Sequence, residues 1–209
     1  MNDVLKKIGA IGIVPVVKID DAKDAVPLAK ALCDGGLPCA EITFRTSAAE
    51  EAIRKIHEAF PQMLLGAGTV LTTEQVDRAI GAGATFIVSP GLNPKVVKYC
   101  VDQGIPVTPG CANPSDIEQA IELGLDVVKF FPAEAAGGLK MIKAMSAPYV
   151  GMKFMPTGGI NPGNVREYLA CPAIFACGGS WMVPQDKINA GRFAEIEQLT
   201  AQAAALAKG

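Results

Sequence analysis

A chain of 209 residues, 50% hydrophobic and 19% charged, can bury one sizeable core, so a single domain over residues 1–209 is expected. A formal net charge of −2 gives no basic excess for a nucleic-acid partner, and no apolar run reaches the roughly 18 residues that a membrane span needs. Six cysteines without a C-x-x-C pair and one histidine, His57, argue against a metal site, and Met1 to Lys7 lacks the apolar core of a signal peptide, so a cytoplasmic protein without a metal site is the expectation.

Short apolar runs alternate with amphipathic stretches along the chain. Strands are predicted at Ile13–Lys18, Cys39–Thr43, Met63–Gly68, Phe86–Ser89, Pro106–Thr108, Val127–Phe130, Lys153–Pro156 and Ala173–Ala176. Helices are predicted between them at Asp21–Gly35, Ala48–Ala59, Thr73–Ala82, Pro94–Gln103, Pro114–Leu123, Leu139–Met145 and Pro162–Leu169, with a last one over Asn189–Ala207. Ser47, Thr72, Asn93, Asn113 and Asn161 are candidate N-caps, and Gly83, Gly104 and Gly124 fall where a helix ends in a left-handed residue. Eight such units fit an α/β fold of the (β/α)8 TIM-barrel class. A doubly wound open sheet is the rival, but the first strand–helix turn, Lys18-Ile-Asp-Asp-Ala, has no glycine.

Catalytic groups of such a barrel lie where strands end at its carboxyl face. Glu41, Thr43 and Arg45 share parity on the second strand, so a carboxylate and a guanidinium point to one side. They are either functional or a buried pair that fixes structure. On the sixth strand, Lys129 closes an apolar run and stands among Val127, Val128, Phe130 and Phe131. Apolar neighbours disfavour an ammonium and favour the neutral, nucleophilic amine that forms Schiff bases. The plainer reading of Lys129 is a side chain that reaches the rim or pairs with Glu41. Lys18 is the rival amine, while Lys153 opens its strand and Lys140 and Lys143 sit on a helix. Two glycine pairs, Gly158-Gly159 and Gly178-Gly179, are read as turns after strands seven and eight, with Ser180 adding a hydroxyl. Loops at these positions bind phosphate through backbone N–H groups, or are simply tight turns. Thr69, after Gly66-Ala-Gly, is by itself more often a helix-start residue than a ligand. An amine, a carboxylate, a guanidinium and a phosphate site suit a phosphorylated keto acid and carbon–carbon cleavage.

Six segments in order carry a resemblance: Glu41-Ile-Thr-Phe-Arg-Thr, Gly66-Ala-Gly-Thr-Val, Ser89-Pro-Gly, Lys129-Phe-Phe-Pro-Ala-Glu, Pro156-Thr-Gly-Gly-Ile and Gly178-Gly-Ser-Trp. From about Ile13 to Pro184 the chain resembles the KDPG/KHG aldolase family (2-keto-3-deoxy-6-phosphogluconate and 4-hydroxy-2-oxoglutarate aldolases). The resemblance implies a class I aldolase of the Entner–Doudoroff or related routes, needing no cofactor, with Lys129 as the Schiff-base amine and Glu41 moving protons. It implies that Arg45 and Thr69 hold the pyruvate carboxylate, that Pro90 and Phe131 line the pocket, and that Gly158, Gly159, Gly179 and Ser180 meet the phosphate. It also implies a homotrimer whose partners are small molecules, a phosphorylated 2-keto-3-deoxy sugar acid and pyruvate. Gly110-Cys-Ala-Asn-Pro departs from the family pattern, and Lys18 stands where some relatives carry arginine. Action on the phosphogalactonate epimer, a non-catalytic phosphate-binding barrel and a metal-dependent aldolase are the alternatives.

Overall fold

The computed structural model describes residues 1–208. Its eight strands are β1 (Ile13–Val17), β2 (Cys39–Thr43), β3 (Leu64–Gly68), β4 (Phe86–Val88), β5 (Val107–Thr108), β6 (Val127–Phe130), β7 (Lys153–Pro156) and β8 (Cys177–Gly179). All pairings are parallel, which forces a crossover after each strand. The crossovers are α2 (Ala25–Asp34), α3 (Ala49–Ala59), α4 (Thr73–Gly81), α5 (Pro94–Asp102), α6 (Pro114–Glu122), α7 (Gly138–Ser146) and α8 (Val165–Leu169), and α9 (Gln185–Asn189) and α10 (Phe193–Ala207) close the chain. Six strands form one curled sheet in the order β5-β4-β3-β2-β1-β8, and β6 and β7 pair with each other. Single parallel bridges, Gly110 to Lys129 and Thr157 to Gly178, link the two groups. The two residues of β5 and three of β8 are too few to extend these bridges into ladders.

Hydrophobic residues divide between two cores. Ile42, Ala67, Ile87 and Phe130 belong to the larger one, between strands and helices. Val14, Phe86, Val88, Val127, Met155 and Ala176 form the smaller one on the concave side of the strands. An N-terminal helix, α1 (Asp3–Ile11), adds Leu5 and Ile8 to this inner cluster. It lies across the amino-terminal ends of the strands, and the Met1 amine pairs with the Asp126 carboxylate just before β6.

The helix α1 is absent from the sequence-based assignment. Its signals are an Asn2 side chain that caps the Leu5 N–H and a left-handed Gly12 after the last turn. Thr72, Asn93 and Asn113 cap as expected, but Ser47 does not: the helix starts after Ala48, with no side-chain cap. Pro162 lies in a turn held by Asn161, whose Oδ1 accepts from the Gly163 N–H, and α8 begins only at Val165. The expected last helix is broken at Gly191, φ 66°.

The eighth strand is also displaced. Ala173–Ala176 was the expected strand, but β8 is Cys177–Gly179, so Gly178-Gly179 is strand and not turn. The reason is crowding. A Cβ on Gly178 would stand 2.4 Å from the Thr157 hydroxyl, and one on Gly179 would stand 1.9 Å from the Trp181 ring. Only glycine lets this strand lie against its neighbours.

Candidate active site

Alternation along β2 and β6 turns Glu41 and Lys129 to the same concave side. Glu41 is 1% exposed and Lys129 5%, and the Lys129 Nζ donates to the Glu41 Oε1 at 3.3 Å. The two are 88 residues apart in the chain, so only the curl of the sheet brings them together. Space for the carboxylate comes from β3: a Cβ on Gly68 would fall 2.1 Å from that same oxygen. The Lys129 Nζ also sits over the Phe131 ring, 5.3 Å from its centre, within the range of a cation–π contact. The other carboxylate oxygen, Oε2, is buried without a protein partner.

Next to this pair lies a cavity of about 170 Å³. Arg45, Phe131, Gly158, Gly159, Gly179 and Ser180 line it, together with Val16, Thr157, Ile160 and Gly178. Thus six of the expected substrate-binding residues share one cavity. Arg45 is exposed and, among the described residues, makes no ion pair. Gly158 and Gly159 have φ of 99° and 84°, left-handed backbone in which successive N–H groups can converge on an anion. A free guanidinium, convergent amides and the Ser180 hydroxyl make this cavity chemically suited to phosphate or carboxylate.

Two expected residues lie elsewhere. Pro90 lines a separate cavity of about 330 Å³ with Val70, Leu71, Ser89, Gly91, Leu92 and Asn93. Thr69 follows β3, lines neither cavity, and holds φ 56°, a left-handed backbone that a β-branched residue adopts only under strain. Such strain gathers at functional positions, where the surroundings impose it. Lys18, the rival amine, is an exposed partner of Asp20, at 2.6 Å. Asp20 also accepts from Gln185 and Asn189, and its carboxyl is held below the usual range, chiefly by the Lys18 hydrogen bond. Lys153 donates to the Pro172 carbonyl at the opening of β7, away from the pair.

Sequence reasoning missed Thr157 and Thr108. Both hydroxyls are buried without a partner. Thr157 was legible, since it follows Met155 by two residues at the end of β7 and so shares its inward face. The arrangement as a whole can add a buried amine to a carbonyl, move protons beside it and hold an anion a short way off.

Comparisons with known proteins bear on this chemistry. Residues 3–199 match the profile of the KDPG and KHG aldolase family. The chain is 50% identical over 202 residues to the 2-dehydro-3-deoxy-phosphogluconate aldolase of Treponema pallidum, with 97% of this chain and 96% of that one aligned. In three dimensions it is similar to the KDPG aldolase of Legionella pneumophila with pyruvate captured at low pH as a covalent carbinolamine intermediate, at TM-score 0.91 and 39% identity over 94% and 96% of the two chains. It is similar also to the 2-keto-3-deoxy-6-phosphogluconate aldolase of Zymomonas mobilis with 3-phosphoglycerate, at TM-score 0.91 and 42% identity over 99% and 97%.

Proposed function

This chain belongs to the KDPG and KHG aldolase family, and from that premise we propose that it is a class I aldolase, a carbon–carbon lyase, splitting 2-keto-3-deoxy-6-phosphogluconate into pyruvate and glyceraldehyde 3-phosphate. The same site accepts 4-hydroxy-2-oxoglutarate, giving pyruvate and glyoxylate. The observation that carries the reading is the buried Lys129–Glu41 contact at 3.3 Å beside the anion-suited cavity.

The Lys129 amine adds to the C2 carbonyl, and the carbinolamine loses water to give a protonated Schiff base. Loss of the C4 hydroxyl proton drives cleavage of the C3–C4 bond. The bonding pair moves into the iminium, which becomes an enamine, and glyceraldehyde 3-phosphate departs. Protonation at C3 then gives the pyruvate imine, which water hydrolyses to pyruvate and the free amine. Glu41, among the described residues the one carboxylate in contact with Lys129, carries these protons. Arg45, in the wall of the anion-suited cavity, and Thr69, outside it at the end of β3, hold the substrate carboxylate; Phe131 and, from the other cavity, Pro90 form the walls; and Gly158, Gly159, Gly179 and Ser180 receive the phosphate.

The proposal extends to architecture and setting. Residues 1–209 form a single domain, a complete (β/α)8 TIM barrel, supported by the eight strand–helix units and the two bridges between its sheets. The protein works in the cytoplasm as a homotrimer of the Entner–Doudoroff or a related route. Among the described residues no helix is long and apolar enough to cross a membrane.

Borohydride reduction in the presence of pyruvate is the decisive test. It should add a pyruvyl mass to Lys129. No trapping in the unaltered protein, or trapping that persists in Lys129→Ala, would end the reading. Cleavage rates on the two phosphorylated epimers then separate the gluconate from the galactonate substrate.

A further inference from the structure

The phosphate loop has a problem of its own. Two adjacent glycines with left-handed backbone have many alternatives in solution, so an anion site made from Gly158 and Gly159 must be held in shape before substrate arrives. The contacts that hold it come from outside the cavity. On one side, the Ala133 N–H donates to the Thr157 carbonyl at 2.8 Å and the Glu134 N–H to the Gly158 carbonyl at 3.1 Å. On the other, the Gly159 carbonyl accepts from the Asn161 and Asn164 side-chain amides at 3.0 and 3.1 Å. The Glu134 side chain packs against the loop, filling the space a Cβ on Gly159 would need, 2.4 Å from its Cγ. The Glu134 carboxylate does not line the cavity. It is drawn to α8, where the Tyr168 hydroxyl, on a side chain 2% exposed, donates to its Oε1.

We infer that Glu134 and Tyr168 form a positioning clamp that sets the phosphate loop at a fixed span from the reactive amine. The inference deepens the proposed aldolase reading and rests on it. Glu134 lies five residues beyond Lys129, on the loop that leaves β6, so one short segment carries the amine at one end and braces the phosphate loop at the other. The Tyr168 bond does two things at once. It fixes the side chain that packs against Gly159, and it turns a carboxylate charge away from the place where a phosphate would bind. The clamp touches no reacting atom, so it governs recognition of the phosphorylated half of the substrate and leaves the amine chemistry alone.

The test compares two affinities in three variants of the full chain. Glu134→Ala and Tyr168→Phe should raise KM for 2-keto-3-deoxy-6-phosphogluconate about tenfold, the worth of a hydrogen bond to a charged group, with kcat changed little. The pyruvate concentration that half-saturates borohydride trapping should not move, because pyruvate carries no phosphate. Glu134→Gln keeps an acceptor for Tyr168 and should restore most of the lost KM. If KM stays unaltered in Glu134→Ala, or if pyruvate trapping weakens in step with KM, the clamp is wrong. Should Tyr168→Phe fail to fold, the exposed Glu134 carries the test by itself. If the unsubstituted protein does not cleave the keto acid, the reading beneath the clamp has failed, and the clamp with it. That outcome is distinct from a variant that cleaves with unaltered KM.

Discussion

Removing one member of the buried pair should cost far more than removing both. At 3.3 Å and an effective dielectric of about 20, Lys129 and Glu41 attract each other by about 5 kcal/mol, and most of that is offset by taking two charges out of water. Lys129→Met leaves a carboxylate that is 1% exposed without its lysine partner, a change that typically destabilises by about 3–5 kcal/mol. Glu41→Gln leaves the ammonium an amide oxygen and should cost about 1–3 kcal/mol. The double variant buries no unpaired charge, so it should recover most of the loss, and urea unfolding of all four proteins gives the coupling directly. The same set reads out chemistry. Lys129→Met should trap no pyruvate, whereas Glu41→Gln should trap it but lose roughly 10²–10⁴-fold in turnover, the usual worth of an acid–base group. A Lys129→Met cost below about 1 kcal/mol, or a double variant no better than the sum of the singles, would show that the pair is not held as a desolvated unit. Near-normal turnover in Glu41→Gln would remove it from the proton role.

Three further outcomes follow from other parts of the site and core. Thr69→Gly should raise the melting temperature, since it relieves a strained φ of 56° worth roughly 1–3 kcal/mol, while weakening pyruvate binding through loss of the hydroxyl; a lower melting temperature would mean that the backbone is not strained. Thr108→Val should stabilise by about 1 kcal/mol in urea, because its buried hydroxyl has no partner and valine has the same shape; a loss of stability would show that the hydroxyl is satisfied. Burial pushes the thiols of Cys100, Cys111 and Cys177 up to about 11, 12 and 12 from an ordinary value near 9. The unfolded chain therefore gives up these protons first, so their contribution to stability is complete below pH 9 and is lost as pH climbs towards 12. The urea midpoint should fall through that window in the native protein, and a triple Cys→Ala variant should fall less steeply; equal slopes would refute the assignment.

Where hydrophobic period and capping agree, the sequence was enough. The four-residue strand Val127–Phe130 and the Asn-Pro starts of α5 and α6 were legible because pattern, cap and proline all point one way. The helix α1 precedes β1 and belongs to no strand–helix unit, so the alternation that marks the other helices does not reach it. The displaced β8 has a different cause. Glycines in a strand look like a turn until the Trp181 ring and the Thr157 hydroxyl that crowd them are seen. At the site, Lys129 and Glu41 could each be placed at a strand end, but their contact across 88 residues depends on the curl of the sheet. The brace by Glu134 and Tyr168 was invisible for the same reason, since nothing local to either residue announces the other. Pro90 and Thr69 stand apart from the anion-suited cavity, which no strand parity could have foretold.

The helix that lies across the amino-terminal ends of the strands has a kinetic consequence. With Leu5 and Ile8 packed into the inner cluster, the amino-terminal side of the interior is filled, so Lys129, near the carboxyl end of β6, is approached from the carboxyl ends of the strands. In the proposed binding mode, whatever is bonded to the amine is the deepest part of the substrate, and the phosphorylated half sits above it. Traffic from that side imposes a sequence. In cleavage the phosphorylated aldehyde must leave before pyruvate can, and in condensation pyruvate must arrive first. Water for the final hydrolysis follows the departing aldehyde down the same route, so the enamine is sheltered until its partner has gone.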